Sequence, residues 1–132
     1  MSTFLLRIVT PDGEKFRGEA EKFSFRATDG EVGILANHSD YIAPVDICKV
    51  YITGGDGKEL SAVCGGGFMT FSNNTASLVC DTFILSEDID LAAVTAELKD
   101  VEEKLEGAKN QREKNILISH AKRLKLQIEL VS

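Results

Sequence analysis

The feature that most limits how this chain can fold is a pair of matched apolar stripes in its last third, from Asp88 to Val131. Leu91, Val94, Leu98, Val101 and Leu105 recur at steps of three and four, which sets all five on one side of a helix. Leu117, Ala121, Leu124, Ile128 and Val131 repeat the pattern, and Gly107-Ala108-Lys109-Asn110 between them is short enough to make the helices antiparallel neighbours. Ser86 or Asp88 is placed to cap the first helix, Glu87, Asp88 and Asp90 suit the positive end of its dipole, and Gly107 suits a left-handed closing residue. Asn110 opens the second helix, with Glu113 as the reciprocal partner of a capping box. A single seam of about ten side chains, at roughly 1.5–3 kcal/mol each, falls short of the roughly 1–2 kcal/mol of backbone entropy that every ordered residue costs. Such a hairpin needs something to dock on: the rest of the chain, another protein, or each in turn, and the last case is a switch.

With 43% apolar and 27% charged residues, the 132-residue chain is one medium domain or a small domain with an appendage. No apolar run nears the roughly 20 residues that span a bilayer, and Met1-Ser2-Thr3-Phe4 lacks the character of a signal peptide, so a soluble protein that stays where it is made is expected. Cys48, Cys64 and Cys80 are odd in number and widely spaced, without a CxxC pair, which suggests buried thiols rather than a disulfide framework or zinc site. A net charge of −6 disfavours a nucleic-acid partner.

That net figure conceals an asymmetry. The first helix carries Asp88, Asp90, Glu97, Asp100, Glu102, Glu103 and Glu106 against Lys99 and Lys104, whereas the second carries Lys109, Arg112, Lys114, Lys122, Arg123 and Lys125 against Glu113 and Glu129. Mutual attraction and solvated outer faces account for much of this; the functional reading is a basic face offered to an acidic partner.

The first two-thirds read as strands. Phe4 to Val9 is rich in strand formers and ends in Pro11-Asp12-Gly13; a short strand near Lys15 to Glu19 returns beside it; from Lys22 to Ala27, Phe23, Phe25 and Ala27 alternate with Lys22, Ser24 and Arg26. After Asp29-Gly30 comes a brief apolar stretch of Val32, Ile34 and Leu35, then the polar loop Asn37-His38-Ser39-Asp40, leading through Pro44 to the next strand. Lys49 to Thr53 and Lys58 to Cys64 flank Gly54-Gly55-Asp56-Gly57, and Gly67 to Ser72 and Thr75 to Cys80 flank Asn73-Asn74, so two hairpins are expected before a last strand at Thr82 to Leu85. The fold class is α+β in sequence order: an N-terminal antiparallel sandwich or barrel over residues 1–86, followed by a two-helix hairpin over residues 87–132.

Chemistry is scarce. His38 has no converging partners nearby, and His120 lies beside the second apolar stripe, so neither suggests a catalytic or metal role. Gly65-Gly66-Gly67 lacks the endings of a phosphate loop and is followed by a strand, which favours a bulge or close backbone approach. Asp88-Ile89-Asp90 reads as helix capping ahead of a cation site. No enzyme, metal or cofactor is indicated.

Asp29-Gly30-Glu31-Val32-Gly33-Ile34-Leu35 with His38, then Gly65-Gly66-Gly67-Phe68-Met69, Asn74 and Glu87-Asp88-Ile89-Asp90 together resemble the epsilon subunit of the bacterial F-type rotary ATP synthase, and Ile8-Val9-Thr10-Pro11-Asp12-Gly13 is similar to that family as well. The resemblance runs along the whole chain. It implies ten short strands in a flattened sandwich and a C-terminal hairpin, in a non-catalytic central-stalk subunit that joins the gamma subunit to the c-subunit ring, peripheral to the cytoplasmic face of the bacterial inner membrane without inserting into it. It implies that Glu31, Gly33 and His38 meet the c ring, and that another sandwich face packs on gamma. It also implies that the hairpin folds against the sandwich or extends toward the alpha and beta catalytic subunits to inhibit ATP hydrolysis. In the extended posture Arg112, Lys114, Lys122, Arg123 and Lys125 meet acidic segments.

The chain departs from the family pattern in places. Some members bind ATP through Ile-Asp, two residues, then Arg-Ala; here Ile89-Asp90 is followed by Leu91-Ala92-Ala93-Val94, with Ala93 replacing the motif arginine, and an upstream acidic position falls near Ile84. Without the cation that pairs with phosphate, no nucleotide binding is expected. Ala36 stands where the family loop has proline, and Ser39 or Asp40 where proline follows the histidine, so ring contact differs locally. A free-standing sandwich module with a dimerising hairpin is the alternative that fits the same periodicities.

Overall fold

The computed structural model describes residues 2–132, so Met1, the first residue of the expected sandwich unit, lies outside the described residues. Over those residues the chain forms β1 (Phe4–Thr10), β2 (Gly13–Ala27), β3 (Gly30–Leu35), β4 (Tyr41–Gly54), β5 (Glu59–Ser72), β6 (Thr75–Cys80), β7 (Phe83–Leu85), a 3₁₀ turn at Ser86–Asp88, α1 (Leu91–Glu106) and α2 (Gln111–Val131). The strands form one sheet in the order β1-β6-β5-β4-β2-β3, and a further pairing of β1 with β2 closes it into a flattened barrel. β7 adds to β5, while β3 is bonded to β2 alone and is a free edge. Closure removes most sheet edges, and a five-strand ring cross-linked by backbone bonds is stiff. One pair, β1 with β6, is parallel, so the sheet is not wholly antiparallel as the sequence suggests.

Seven strands are present where the resemblance implies ten, and the reason lies in three long ones. The inward residues of β2 are Ala20, then Phe23, Phe25 and Ala27; of β4, Val45, then Cys48, Val50 and Ile52; of β5, Ala62 and Cys64, then Met69 and Phe71. In each strand the odd-even alternation changes once, at Glu21, at Asp46–Ile47 and at Gly65–Gly67 respectively. Because successive side chains point to opposite faces, such a change lets one strand line both layers. Splitting each long strand at its bend recovers the ten short ones. The stretch expected as two strands around Lys15 to Ala27 is thus a single strand, with its register against β4 shifting between Ala20 and Lys22. Pro44 lies inside β4 rather than before it, in a segment paired with β5 only, where a proline is tolerated.

The third of these bends is the glycine triplet. Here β5 leaves β6 and takes up β7: Gly67 pairs with Cys80, Gly65 N–H donates to the Thr82 carbonyl at 2.8 Å, and Asp81 N–H donates to the Gly66 carbonyl at 3.0 Å. Gly66 sits at φ +92°, and a Cβ on Gly67 would stand 2.7 Å from the Cys80 Cα. The triplet is therefore a close backbone approach, as the absence of a phosphate-loop ending suggests. The Asn73-Asn74 turn has φ values of 52° and 56° between paired Ser72 and Thr75, a two-residue hairpin of the type that asparagine favours.

Both helices form where the periodicity puts them, with three local differences. Asp90 caps α1, its side chain accepting from Ala93 N–H at 3.2 Å, while Ser86 and Asp88 belong to the 3₁₀ turn. Starting the helix there turns Leu91 outward at 42% exposure, and Ile89 takes its place against the seam. Gly107 closes α1 at φ −91°, not in the left-handed region; its N–H and that of Ala108 reach back to Lys104 and Leu105. Asn110 caps α2 as expected, accepting from Glu113 N–H at 2.8 Å, and Glu113 returns the bond to Lys109 N–H at 3.3 Å, one residue earlier than a regular capping box.

The described residues form two separate cores. One fills the barrel; the other is the hairpin seam of Val94, Val101, Ala121 and Leu124, flanked by Ile89, Leu98, Leu117 and Ile128. The hairpin packs through α2 across β4 and β5. There Val63, on the outward face of β5 between Lys49 and Ile84, is 1% exposed although it is not part of the barrel core. Cys48, Cys64 and Cys80 are all buried and unpaired, with Cys48 directly across from Cys64. Burial pushes the Cys48 thiol up to about 11, so it is unreactive.

Candidate functional site

Two regions carry the residues singled out from the sequence: the β3 edge with the loop after it, and the face where α2 meets the barrel. Glu31 and Gly33 lie on β3 opposite Arg26 and Ser24, both exposed. A Cβ on Gly33 would come within 3.3 Å of the Lys22 side chain, so glycine keeps this edge thin. His38 is turned differently. Its ring is half-buried, edge-on to Tyr41 and to Phe71 with centroids 5.7 Å away in each case. Its Nδ1 lies 2.7 Å from the Ser39 carbonyl oxygen, which only accepts, so Nδ1 is the donor of that bond. Burial likewise raises the neighbouring Tyr41 hydroxyl above its ordinary pKa, with Asp29 adding to the effect. The structure thus places Glu31 and Gly33 on an open strand edge and makes His38 the aromatic plug at the end of the core, rather than gathering the three into one cluster.

The basic residues of α2 also divide. Arg112, Lys114, Lys122 and Lys125 are exposed, but Arg123 points onto the barrel, 3.7 Å from Asp81, with its stem over Gly65. A second ion pair joins Lys49 to Glu129 at 3.2 Å, and His120 reaches Glu97 at 3.4 Å across the hairpin seam. The two pairs that bridge hairpin and barrel, Arg123–Asp81 and Lys49–Glu129, are partly exposed and each worth at most about 1 kcal/mol, so the docked hairpin is held by weak polar clasps around the cover over Val63. Between α2 and the barrel runs a groove of about 580 Å³, lined by Arg26, Glu31, Asp46, Lys49, Tyr51 and Lys122 among others. Its cations and carboxylates are interleaved, which does not make a phosphate cradle.

The hairpin junction is no better suited to nucleotide. Asp90 is committed to its cap, Ala93 is exposed, and Ile84 is half-buried. The cleft there, lined by Thr82, Phe83, Ile84, Glu97, His120, Arg123, Leu124 and Gln127, measures about 240 Å³, below the roughly 300–1,000 Å³ of ligand pockets. Calorimetry of ATP against the full chain is expected to give no saturable heat at millimolar nucleotide; micromolar affinity would overturn that reading.

Sequence reasoning did not single out the exposed apolar row on the other half of the sheet. Pro44, Phe68, Val79 and Val9 stand side by side across β4, β5, β6 and β1, with Phe68 60% and Val79 59% exposed, and Ile42 beside them at 74%. Its signal lay in the alternation: Phe68 and Val79 are the apolar residues that fall on the outward parity. Among the described residues no cluster of His, Cys, Asp and Glu could hold a metal, and no helix is long and apolar enough to cross a membrane.

Comparison with known proteins agrees with this architecture. A family model described as ATP synthase, Delta/Epsilon chain, beta-sandwich domain matches residues 3–86. The ATP synthase epsilon chain of Caldicellulosiruptor bescii is 35% identical, covering 98% of this chain and 96% of its own. That of Ruminiclostridium cellulolyticum is 34% identical over 86% of this chain and 84% of its own. A chain of the Euglena gracilis mitochondrial ATP synthase, in a structure of OSCP, F1 and c-ring, shares the fold at a TM-score of 0.82 and 15% identity, covering all of this chain and 83% of that one. A chain of the Tetrahymena thermophila mitochondrial central stalk and c-ring does so at 0.60 and 13%, covering 97% and 96%. From its barrel, its hairpin and these relatives, the chain belongs to the ATP synthase delta/epsilon family, as an epsilon chain of the bacterial kind.

Proposed function

We propose that this epsilon chain is a non-catalytic joint of the central stalk, divided at residues 86 and 87 into a rotor-attachment body and a regulatory hairpin. The β3 edge with Glu31 and Gly33, and the loop plugged by His38, face the c-subunit ring. The row of Pro44, Phe68, Val79 and Val9 packs on the gamma subunit. Large exposed apolar side chains aligned in one row support a partner there, because patches of this kind mark interfaces. The stiffness of the closed sheet suits a part through which torque passes. No cofactor is needed for that work, and attachment through the complex holds the chain at the cytoplasmic face of the inner membrane without a span of its own.

The observation that carries the regulatory half is the division into two cores joined by weak clasps. A hairpin with its own seam can leave the barrel intact, exposing Val63 on one side and freeing Arg123 on the other. Arg112, Lys114, Lys122, Arg123 and Lys125 then meet acidic segments of the alpha and beta subunits, and hydrolysis is inhibited. Affinity capture of a tagged chain from membranes is the test. Gamma, the catalytic subunits and the c ring are expected in fixed stoichiometry; recovery of the chain alone, or as its own dimer, would favour the free-standing module.

A further inference from the structure

Resting on the reading of the β3–β4 loop as the ring-facing segment, we infer that Asn74 is the positioning residue of that loop. Asn74 belongs to another part of the chain, the tight turn between β5 and β6. Its Oδ1 accepts from Asn37 N–H at 2.8 Å, across 37 residues of sequence, and its Nδ2 donates to the Thr3 carbonyl at 2.9 Å, across 71. Its own carbonyl accepts from Leu5 N–H at 3.2 Å. One residue thus ties together the start of β1, the β5–β6 turn and the loop that carries His38. The partners fix which way round the amide lies, since Asn37 N–H can only donate and the Thr3 carbonyl can only accept.

The requirements on this position are narrow. It needs a donor and an acceptor on a short side chain, at a backbone φ of 56° that asparagine tolerates and most residues do not. Asn37 sits at φ 64°, in the same left-handed region, and there its N–H meets the Asn74 side chain. Other restraints on the loop include the bond from His38 N–H to the Leu35 carbonyl at 3.2 Å, the His38 Nδ1 bond to the Ser39 carbonyl, the packing of Ala36 on the core and the ring contacts of His38 with Tyr41 and Phe71. Phe71 lies three residues before Asn74 on the same hairpin, so the side-chain bond and the aromatic contact hold the loop to one rigid element.

Hydrogen exchange at the Asn37 amide of the full chain, compared in Asn74→Gly and Asn74→Asp, tests the tie. Glycine keeps the turn but removes the acceptor, and roughly three- to tenfold faster exchange at Asn37 is expected, with the Leu78 amide unchanged as a check on the fold. Aspartate keeps an acceptor, so exchange slower than in the glycine variant is expected. Unchanged exchange in Asn74→Gly, or no recovery in Asn74→Asp, would overturn the inference. In the assembled complex, ions moved per ATP hydrolysed should fall in Asn74→Gly and recover in part in Asn74→Asp, which keeps the acceptor for Asn37 but loses the donor to Thr3. Faster exchange with an unchanged ratio upholds the tie and counts against the ring contact on which the loop's role rests.

Discussion

Deleting Leu91–Ser132 is expected to leave a folded β body that still binds the gamma subunit, while ATP hydrolysis by the assembled complex rises. The body keeps its whole interior, because none of the barrel core residues lies on either helix. The Ser61–Ser86 hydroxyl bond at 3.0 Å, which pins the chain after β7, also survives. What is lost is the cover over Val63 and the two clasps, from Arg123 to Asp81 and from Lys49 to Glu129. Exposing a valine-sized surface costs roughly 2 kcal/mol, so a lower melting temperature with cooperative unfolding is expected from calorimetry. For activity, a hairpin that spends half its time in the inhibiting posture holds the rate to about half, and its removal gives about a twofold rise. An unfolded truncation, or a complex whose hydrolysis does not change, would contradict the division of labour between body and hairpin.

The second large effect concerns the barrel. Gly67→Ala is expected to destabilise the chain by about 3 kcal/mol, near the upper end for inserting a methyl group into packed structure. The added carbon would meet backbone rather than a side chain: the Cys80 Cα at 2.7 Å, and the Val79 carbonyl oxygen closer still. Rotamer changes cannot relieve such a contact, so β5 and β6 must part at the point where β5 changes partner. Gly18→Ala makes a matched control, since a Cβ there meets only the Phe16 ring at 3.6 Å, an ordinary contact. Urea denaturation should therefore separate the two variants widely. Equal midpoints would mean that the triplet is not the tight crossing inferred from the backbone.

How far these features were legible depends on how local their causes are. The helix seam was readable because a period of 3.6 and an Asn110–Glu113 cap are written in neighbouring residues. The start of α1 was not, because Ser86, Asp88 and Asp90 are all competent caps and only packing selects the last; choosing it exchanges Leu91 for Ile89. The hairpin turns were legible from Asn73-Asn74 and from the glycines after Thr53. The bends at Glu21 and Asp46–Ile47 carry no glycine or asparagine, so the changes of parity there emerge only when the sheet closes. From the sequence, Glu31, Gly33 and His38 read as one loop; that the first two lie on the open edge of β3 follows from its pairing with β2 alone, which no neighbouring residue announces. The burial of His38 depends on Tyr41 and on the distant Phe71, and the division of the α2 cations depends on where the barrel lies under Arg123. Neither has a local signature.

The central claim is that the hairpin docked on the barrel is the released position of a brake. Its most direct measurement is ATP hydrolysis by the complex with the hairpin pinned there. Lys49 and Glu129, 3.2 Å apart at their charged ends, can be replaced by cysteines and joined through a reducible crosslink; the native thiols, at most 5% exposed, stay out of the reaction. Pinning should raise hydrolysis to the level of the Leu91–Ser132 deletion, and reduction should return it to the starting rate. A pinned complex that hydrolyses ATP no faster than the unpinned one, when the deletion does, would show that inhibition does not require the hairpin to leave the barrel.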